Sequence, residues 1–411
     1  MIEKWQKKIL AITWITYASF YLLRVNIAVA IPGIMKEFGI SKTAIGGVLS
    51  ALFVAYAAGQ FINGQLGDKF SAKKLVGIGL LGSAVLNVIF GFTGNFLGGM
   101  MLIWALNGFF QSMGWAPSVR IVSNWFPCEK RGKAAGILGS SYQIGNVVSW
   151  ALAGFVVGAL GWRWAFWVPA IITPFLALNW FLTIKEKAED VGFKPVEECR
   201  VPNGLKDTIK STLQNRAIWT VALGLGFLNI VRYGFLDWAP TYFFEVQKAH
   251  ISLAAFKAII FPLAGSLGAL TAGWFSDKLF QHRRVPMAVL MLLVLVVSIW
   301  IFPQIPKGSW LLTLIVLAVI GFTTYGPHMT MVTALPMDLG TKEMASSATG
   351  FIDGWGYIGA ALTGVGTGFL LDKFSWNYAF YFWLAGAIMA AILMSTLWKY
   401  RNVEKNVKIN E

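Results

Sequence analysis

Gly64-Gln65-Leu66-Gly67-Asp68-Lys69 recurs 209 residues later as Gly273-Trp274-Phe275-Ser276-Asp277-Lys278. In both places a long apolar run ends in a Gly-led segment, turns at Asp-Lys and meets more basic residues, Lys73 and Lys74 in one copy and Arg283 and Arg284 in the other. Three further features repeat at nearly the same offset. Arg24 and Arg232 are 208 residues apart; Gly136…Gly145 and Gly350…Gly359 are 214 apart, as are Trp162-Arg163-Trp164-Ala165-Phe166 and Trp376-Asn377-Tyr378-Ala379-Phe380. Four matched features at near-constant spacing describe one bundle duplicated along the chain.

Around these landmarks the sequence is a series of apolar runs broken by short polar segments. Twelve are long enough to cross a bilayer as helices, at 10–34, 44–64, 75–95, 98–122, 133–158, 163–184, 216–243, 252–275, 285–303, 309–332, 345–371 and 376–398. None shows the apolar–polar alternation of a membrane barrel strand. The expected fold is therefore an all-α membrane protein, with twelve transmembrane helices in two pseudo-symmetric six-helix bundles. Residues 1–184 form the first bundle, 185–215 a polar linker and 216–411 the second.

Composition agrees. The chain is 56% hydrophobic and 13% charged, with 43 Gly for close helix contacts. The net charge of +15 does not mark a nucleic-acid-binding protein, because the cations sit in short clusters between apolar runs and never form one face. With both termini placed in the cytoplasm, 24 Lys and Arg fall on the inside and 7 on the outside. That asymmetry predicts a multi-pass protein of a cell inner membrane with cytoplasmic termini. Cys128 and Cys199 then fall on the cytoplasmic side and read as free thiols.

The remaining cations, Arg24, Arg120 and Arg232, lie within spans. A guanidinium near the midplane costs several kcal/mol and cannot shed its proton. It persists where it faces a watery cavity or an anion, and its planar fork suits a phosphate or carboxylate. Arg24 and Arg232, at matched positions in the two halves, are thus candidate ligands for a small anionic substrate. The acids within the spans are Asp237 and Asp353. Asp353 is a candidate for neutralising Arg232, contacting substrate or carrying a proton. Asp237, near the outer end of its helix, suits a gating salt bridge, and Arg120 suits a pairing with Asp68. His328 either binds substrate, takes a proton or bonds nearby backbone. No metal-ligand spacing, phosphate-cradling Gly loop or Walker lysine occurs. Neither a cofactor nor an enzymatic activity is expected. Paired bundles are how many secondary transporters are built, and without an ATP motif any solute movement through them would draw on an ion or anion gradient.

The Gly64 and Gly273 segments resemble the loop signature of the major facilitator superfamily. The run Arg232-Tyr233-Gly234-Phe235-Leu236-Asp237-Trp238-Ala239-Pro240-Thr241-Tyr242 resembles the seventh helix of its organophosphate:phosphate antiporters. Tyr21-Leu22-Leu23-Arg24-Val25-Asn26, Met113-Gly114-Trp115-Ala116-Pro117 and Tyr325-Gly326-Pro327 are similar to their first, fourth and tenth helices. The resemblance implies alternating-access exchange of a sugar- or glycerol-phosphate, or a phosphonate, for inorganic phosphate. It puts Arg24 and Arg232 on the phosphate, Tyr21, Tyr233 and Tyr357 around it, and gating at Asp68, Lys69 and Asp277. Gln60 and Tyr142 stand where the glycerol-phosphate branch carries a lysine and a histidine. That departure, with the likeness of Arg24 to Ala30 to anion:cation symporters, keeps open proton-coupled symport of a carboxylate such as a sugar acid. A transport-fold sensor that binds ligand without flux is a rival from another class. The carrier is expected to work as a monomer, with inorganic phosphate or a proton as coupling species.

Overall fold

The computed structural model describes residues 2–196, 211–280, 283–339 and 345–399. Among them every regular element is helical. The first span is not one helix. It comprises α1 (Ile2–Leu22) and α2 (Ile27–Phe38), separated by a turn at Leu23–Asn26. The second and third spans are α3 (Lys42–Lys69) and α4 (Ala72–Gly91). The fourth, expected to be continuous over 98–122, is broken at Ser112–Gly114 into α5 (Leu97–Gln111) and α6 (Trp115–Trp125). Next come α7 (Cys128–Leu160), α8 (Trp164–Thr183), α9 (Arg216–Glu245), and the eighth span as α10 (Ile251–Ala258) and α11 (Ile260–Leu279). The series ends with α12 (Arg284–Ile301), α13 (Trp310–Met329), short α14 (Leu335–Leu339), α15 (Ala345–Lys373) and α16 (Trp376–Thr396).

Ten of the twelve spans are long and apolar enough to be recognised as membrane-crossing from length and hydropathy. The other two show why the criterion is narrower than the fold. The fourth carries Gly98, Gly99, Asn107, Gly108 and Gln111 among its apolar residues, and α15 is long but diluted by Gly, Ser and Thr. The bulky apolar side chains pointing outward, among them Phe155, Phe175, Leu182, Leu270 and Trp300, are what a lipid-facing surface requires.

The chain forms two compact units. The first contains Met1–Cys199, Leu236–Pro262 and Gly364–Asp372. Within it, small residues bring helices together. A Cβ on Gly108 of α5 would collide with the Leu52 carbonyl of α3. Gly154 and Gly158 of α7 lie against Ala255 and Ser252 of α10. At the end assigned to the outside by the charge count, α3 meets the last part of α15. Gly46 and Gly364 approach so closely that a Cβ on either would strike the other's carbonyl oxygen, and Gly368 is likewise against the Lys42 carbonyl. Ser50 accepts the Val365 N–H at 2.9 Å. The Asp372 carboxylate caps the start of α3, accepting the N–H groups of Lys42 (3.0 Å) and Thr43 (2.7 Å) and the Thr43 hydroxyl. Lys42 pairs with Glu245 at 2.7 Å, and Glu37 holds Arg163 in a two-pronged ion pair with both contacts at 2.6 Å.

The second unit contains Arg200–Phe235, Leu263–Thr363 and Lys373–Glu411. The same device recurs there. Gly359 of α15 lies against the Gly226 carbonyl of α9, and Gly268 of α11 against the Phe322 carbonyl of α13. Gly234 of α9 accommodates the Trp383 ring of α16, which packs with Phe235 and Phe380, and Phe380 packs in turn with Phe302.

Candidate functional site

Arg24 sits in the turn between α1 and α2 and is 5% exposed. Breaking a helix inside a membrane frees carbonyls that no water can reach, so protein groups must satisfy them. Side chains from three other spans do this. The Leu23 carbonyl accepts from Asn87 at 3.0 Å and Asn107 at 2.9 Å, and the Phe20 carbonyl from Gln111 at 3.0 Å. The Val25 carbonyl accepts from the Trp150 indole at 3.3 Å. Asn26 closes the arrangement, donating to Asn87 and to the Ala165 carbonyl, both at 2.9 Å. Arg24 is thereby fixed by its backbone, not by its own helix. Replacing Asn107 with Leu removes one of the two donors on the Leu23 carbonyl and should cost about 1–2 kcal/mol. We expect a lower unfolding temperature in detergent together with weakened anion binding. Asn107→Gln, which retains a donor, should lose less of both.

Above that turn the Arg24 guanidinium lies among aromatic rings. Its carbon is 4.7 Å from the Tyr56 ring centroid and 5.6 Å from those of Tyr21 and Phe53. Tyr21 extends the aromatic wall to Tyr17 and Tyr142, at 5.9 and 6.2 Å. Cation–π contacts of this kind hold a guanidinium by its flat face.

In the second unit, Arg232 of α9 has the same setting. It is 5% exposed and lies 4.9 Å from the Tyr233 ring and 5.1 Å from that of Tyr325. Tyr233 in turn faces Tyr357 at 6.4 Å. The Arg232 Nη1 is 3.0 Å from Nε2 of buried His328. A guanidinium can only donate, so Nε2 must accept, and the imidazole is neutral with its proton on Nδ1. His328 thus partners the Arg232 side chain. Pro327, within α13, and the π-turn Thr330–Ala334 immediately beyond it distort the helix around this histidine.

Asp353 is half-buried on α15, one turn before Tyr357, and Gln60 is half-buried on α3, one turn after Tyr56. Asp237 is buried in the first unit, and Arg120 is half-buried on α6. The side chains of Asp68, Lys69, Asp277 and Cys128, and all of Cys199, lie outside the described residues, and the expected Arg120–Asp68 pairing lies outside them too. The sequence reading missed Phe53, Tyr56 and Tyr325 as ring partners. Tyr56 stands at helical spacing from Gln60, and Tyr325 opens a motif already singled out, so both were signalled by position if not by type. Among the described residues, no group of three or more His, Cys, Asp or Glu could hold a metal ion.

The sequence profile described as Major Facilitator Superfamily matches residues 13–364. The glycerol-3-phosphate transporter of Bacillus subtilis (strain 168) is 32% identical over 407 residues, covering 94% of this chain and 90% of that protein. The membrane sensor protein UhpC of Salmonella typhimurium (strain LT2) is 28% identical, covering 95% of this chain and 91% of that one. Among solved structures, an inward-facing, unoccupied bacterial homologue of the human lysosomal transporter Spinster superposes with a TM-score of 0.77 at 15% identity. That match covers 95% of this chain and 94% of the other.

Proposed function

The chain belongs to the Major Facilitator Superfamily, and on that premise we propose that it exchanges a small organic phosphate for inorganic phosphate by alternating access. The substrate class is a glycerol- or sugar-phosphate. Arg24 and Arg232 hold the anionic group, Tyr21, Tyr233 and Tyr357 surround it, and Gln60, Tyr142 and Asp353 contact its remainder. His328 positions Arg232. The termini face the cytoplasm of a cell inner membrane, and the protein works as a monomer. The observation that carries this reading is the presence, in each unit, of a buried arginine with its face against aromatic rings. Similarity to a glycerol-3-phosphate transporter over nearly the whole chain supports the choice of phosphate.

The test is exchange of labelled phosphate into proteoliposomes preloaded with inorganic phosphate. Exchange that is inhibited by glycerol-3-phosphate or glucose-6-phosphate is expected. Uptake that instead follows a pH gradient, with no phosphate exchange, would replace antiport with proton-coupled symport of a carboxylate. The similarity to a membrane sensor supports a second reading, in which the chain binds an organic phosphate without carrying it. Saturable binding to purified protein with no flux at any gradient would favour that one.

A further inference from the structure

We propose that Gln143 and Asn146 of α7 recognise the hydroxyl groups of the substrate, making the carrier selective for hydroxyl-bearing esters over simple alkyl phosphates. This deepens the proposed function and rests on it.

Three observations carry the inference. Both side chains are almost fully buried, at 2% and 0% exposure, one helical turn apart. Among the described residues, all four of their polar atoms lack a hydrogen-bond partner, and the Ser149 hydroxyl beyond them lacks one as well. Buried amides are nearly always bonded at both ends, and each unbonded group costs on the order of 1–3 kcal/mol. A whole helical turn of such groups is therefore costly unless it serves a ligand.

Their depth along α7 is the second point. Gly145 lies against the Ala18 carbonyl and the Tyr21 side chain, and Trp150 donates to the Val25 carbonyl. Asn146, between these two contacts, is level with the turn that carries Arg24. It is also one turn from Tyr142, whose ring faces Tyr21. The amides thus neighbour the aromatic setting of the arginine without belonging to it.

Chemistry supplies the third point. The two open amide oxygens need donors. A phosphate dianion or a carboxylate offers none, whereas a hydroxyl offers one and accepts from the amide N–H as well. The pair therefore fits the polyol portion of a substrate, leaving its anionic group to the arginines.

The experiment is inhibition of labelled phosphate exchange in proteoliposomes by glycerol-3-phosphate and by propyl phosphate, which lacks the hydroxyls. In Gln143→Leu and Asn146→Leu, the half-inhibiting concentration of glycerol-3-phosphate should rise about tenfold, while propyl phosphate stays within about twofold of wild type. Asn146→Ser, which restores a donor and an acceptor, should recover part of the loss. Parallel shifts for both esters, or no shift for either, would overturn the assignment. If the leucine variants lose phosphate exchange altogether, Asn146→Ser and Gln143→Ser carry the same comparison, read the same way. A wild type that exchanges no phosphate defeats the antiport reading instead. The variants are then compared with gluconate against hexanoate in a binding assay, where a hydroxyl-selective loss supports the proposal and a parallel loss overturns it.

Discussion

Arg232→Lys should reduce phosphate exchange by at least tenfold, and Arg24→Lys by a similar factor, with both proteins folded and inserted. Lysine keeps the charge, so long-range attraction of the anion survives. What is lost is the fork: a planar group presenting paired N–H donors while its face rests on aromatic rings. A hydrogen bond to a charged group contributes about 1.5–3 kcal/mol, or roughly 10- to 150-fold in affinity, and a two-pronged contact loses at least one. Alanine at either position should bring exchange to the level of empty liposomes. At Arg232 the loss has a second part, since His328 Nε2 accepts from that guanidinium. His328→Gln offers an amide oxygen in its place and should retain much of the exchange, whereas His328→Leu should not. Exchange at wild-type rate in Arg24→Lys and Arg232→Lys, at equal protein density, would remove the arginines from the anion site.

The second large effect is expected at Gly46. This residue and Gly364 touch backbone to backbone, where even one added methyl collides with a carbonyl oxygen. Tryptophan there cannot be absorbed by a side-chain shift, because the obstacle is main chain. Overpacking of a close contact costs about 1–3 kcal/mol and commonly more for a wedge of this size. The seam between α3 and the end of α15 is otherwise held by Ser50, Asp372 and the Lys42–Glu245 pair, groups able to bond water when apart. We expect Gly46→Trp to stop transport while leaving the protein folded. A cysteine at Ser50 should then react much faster with a membrane-impermeant maleimide. Gly364→Trp should behave alike. Transport at wild-type rate, or unchanged labelling, would mean that the seam does not need to close.

The parts legible in the sequence share a cause. Repeat offsets, apolar runs and charges in the wrong solvent are properties of short windows, and these yielded the twelve spans and both arginines. The turn at Leu23–Asn26 was not legible: Arg24 was expected inside a continuous helix. Its break depends on Asn87, Asn107, Gln111 and Trp150, which lie 61 or more residues beyond Asn26 and read in isolation as ordinary polar or aromatic residues of a membrane helix. Gln143 and Asn146 escaped for the opposite reason. An amide within a span is unremarkable until its neighbours are known to leave it unbonded. By contrast, Gly114 lies at the split of the fourth span and Pro117 just beyond it, although the span was expected to be one continuous helix.

The amide clasp on the first span also has a consequence for the lipid around the protein. A residue held near the midplane by an intact helix shifts in depth whenever that helix tilts to suit a thicker or thinner bilayer. Arg24 is instead tied to four neighbouring spans through main-chain oxygens, so its height is set inside the protein. Acyl-chain length should alter the tilt of the peripheral helices and leave the depth of the Arg24 guanidinium unchanged.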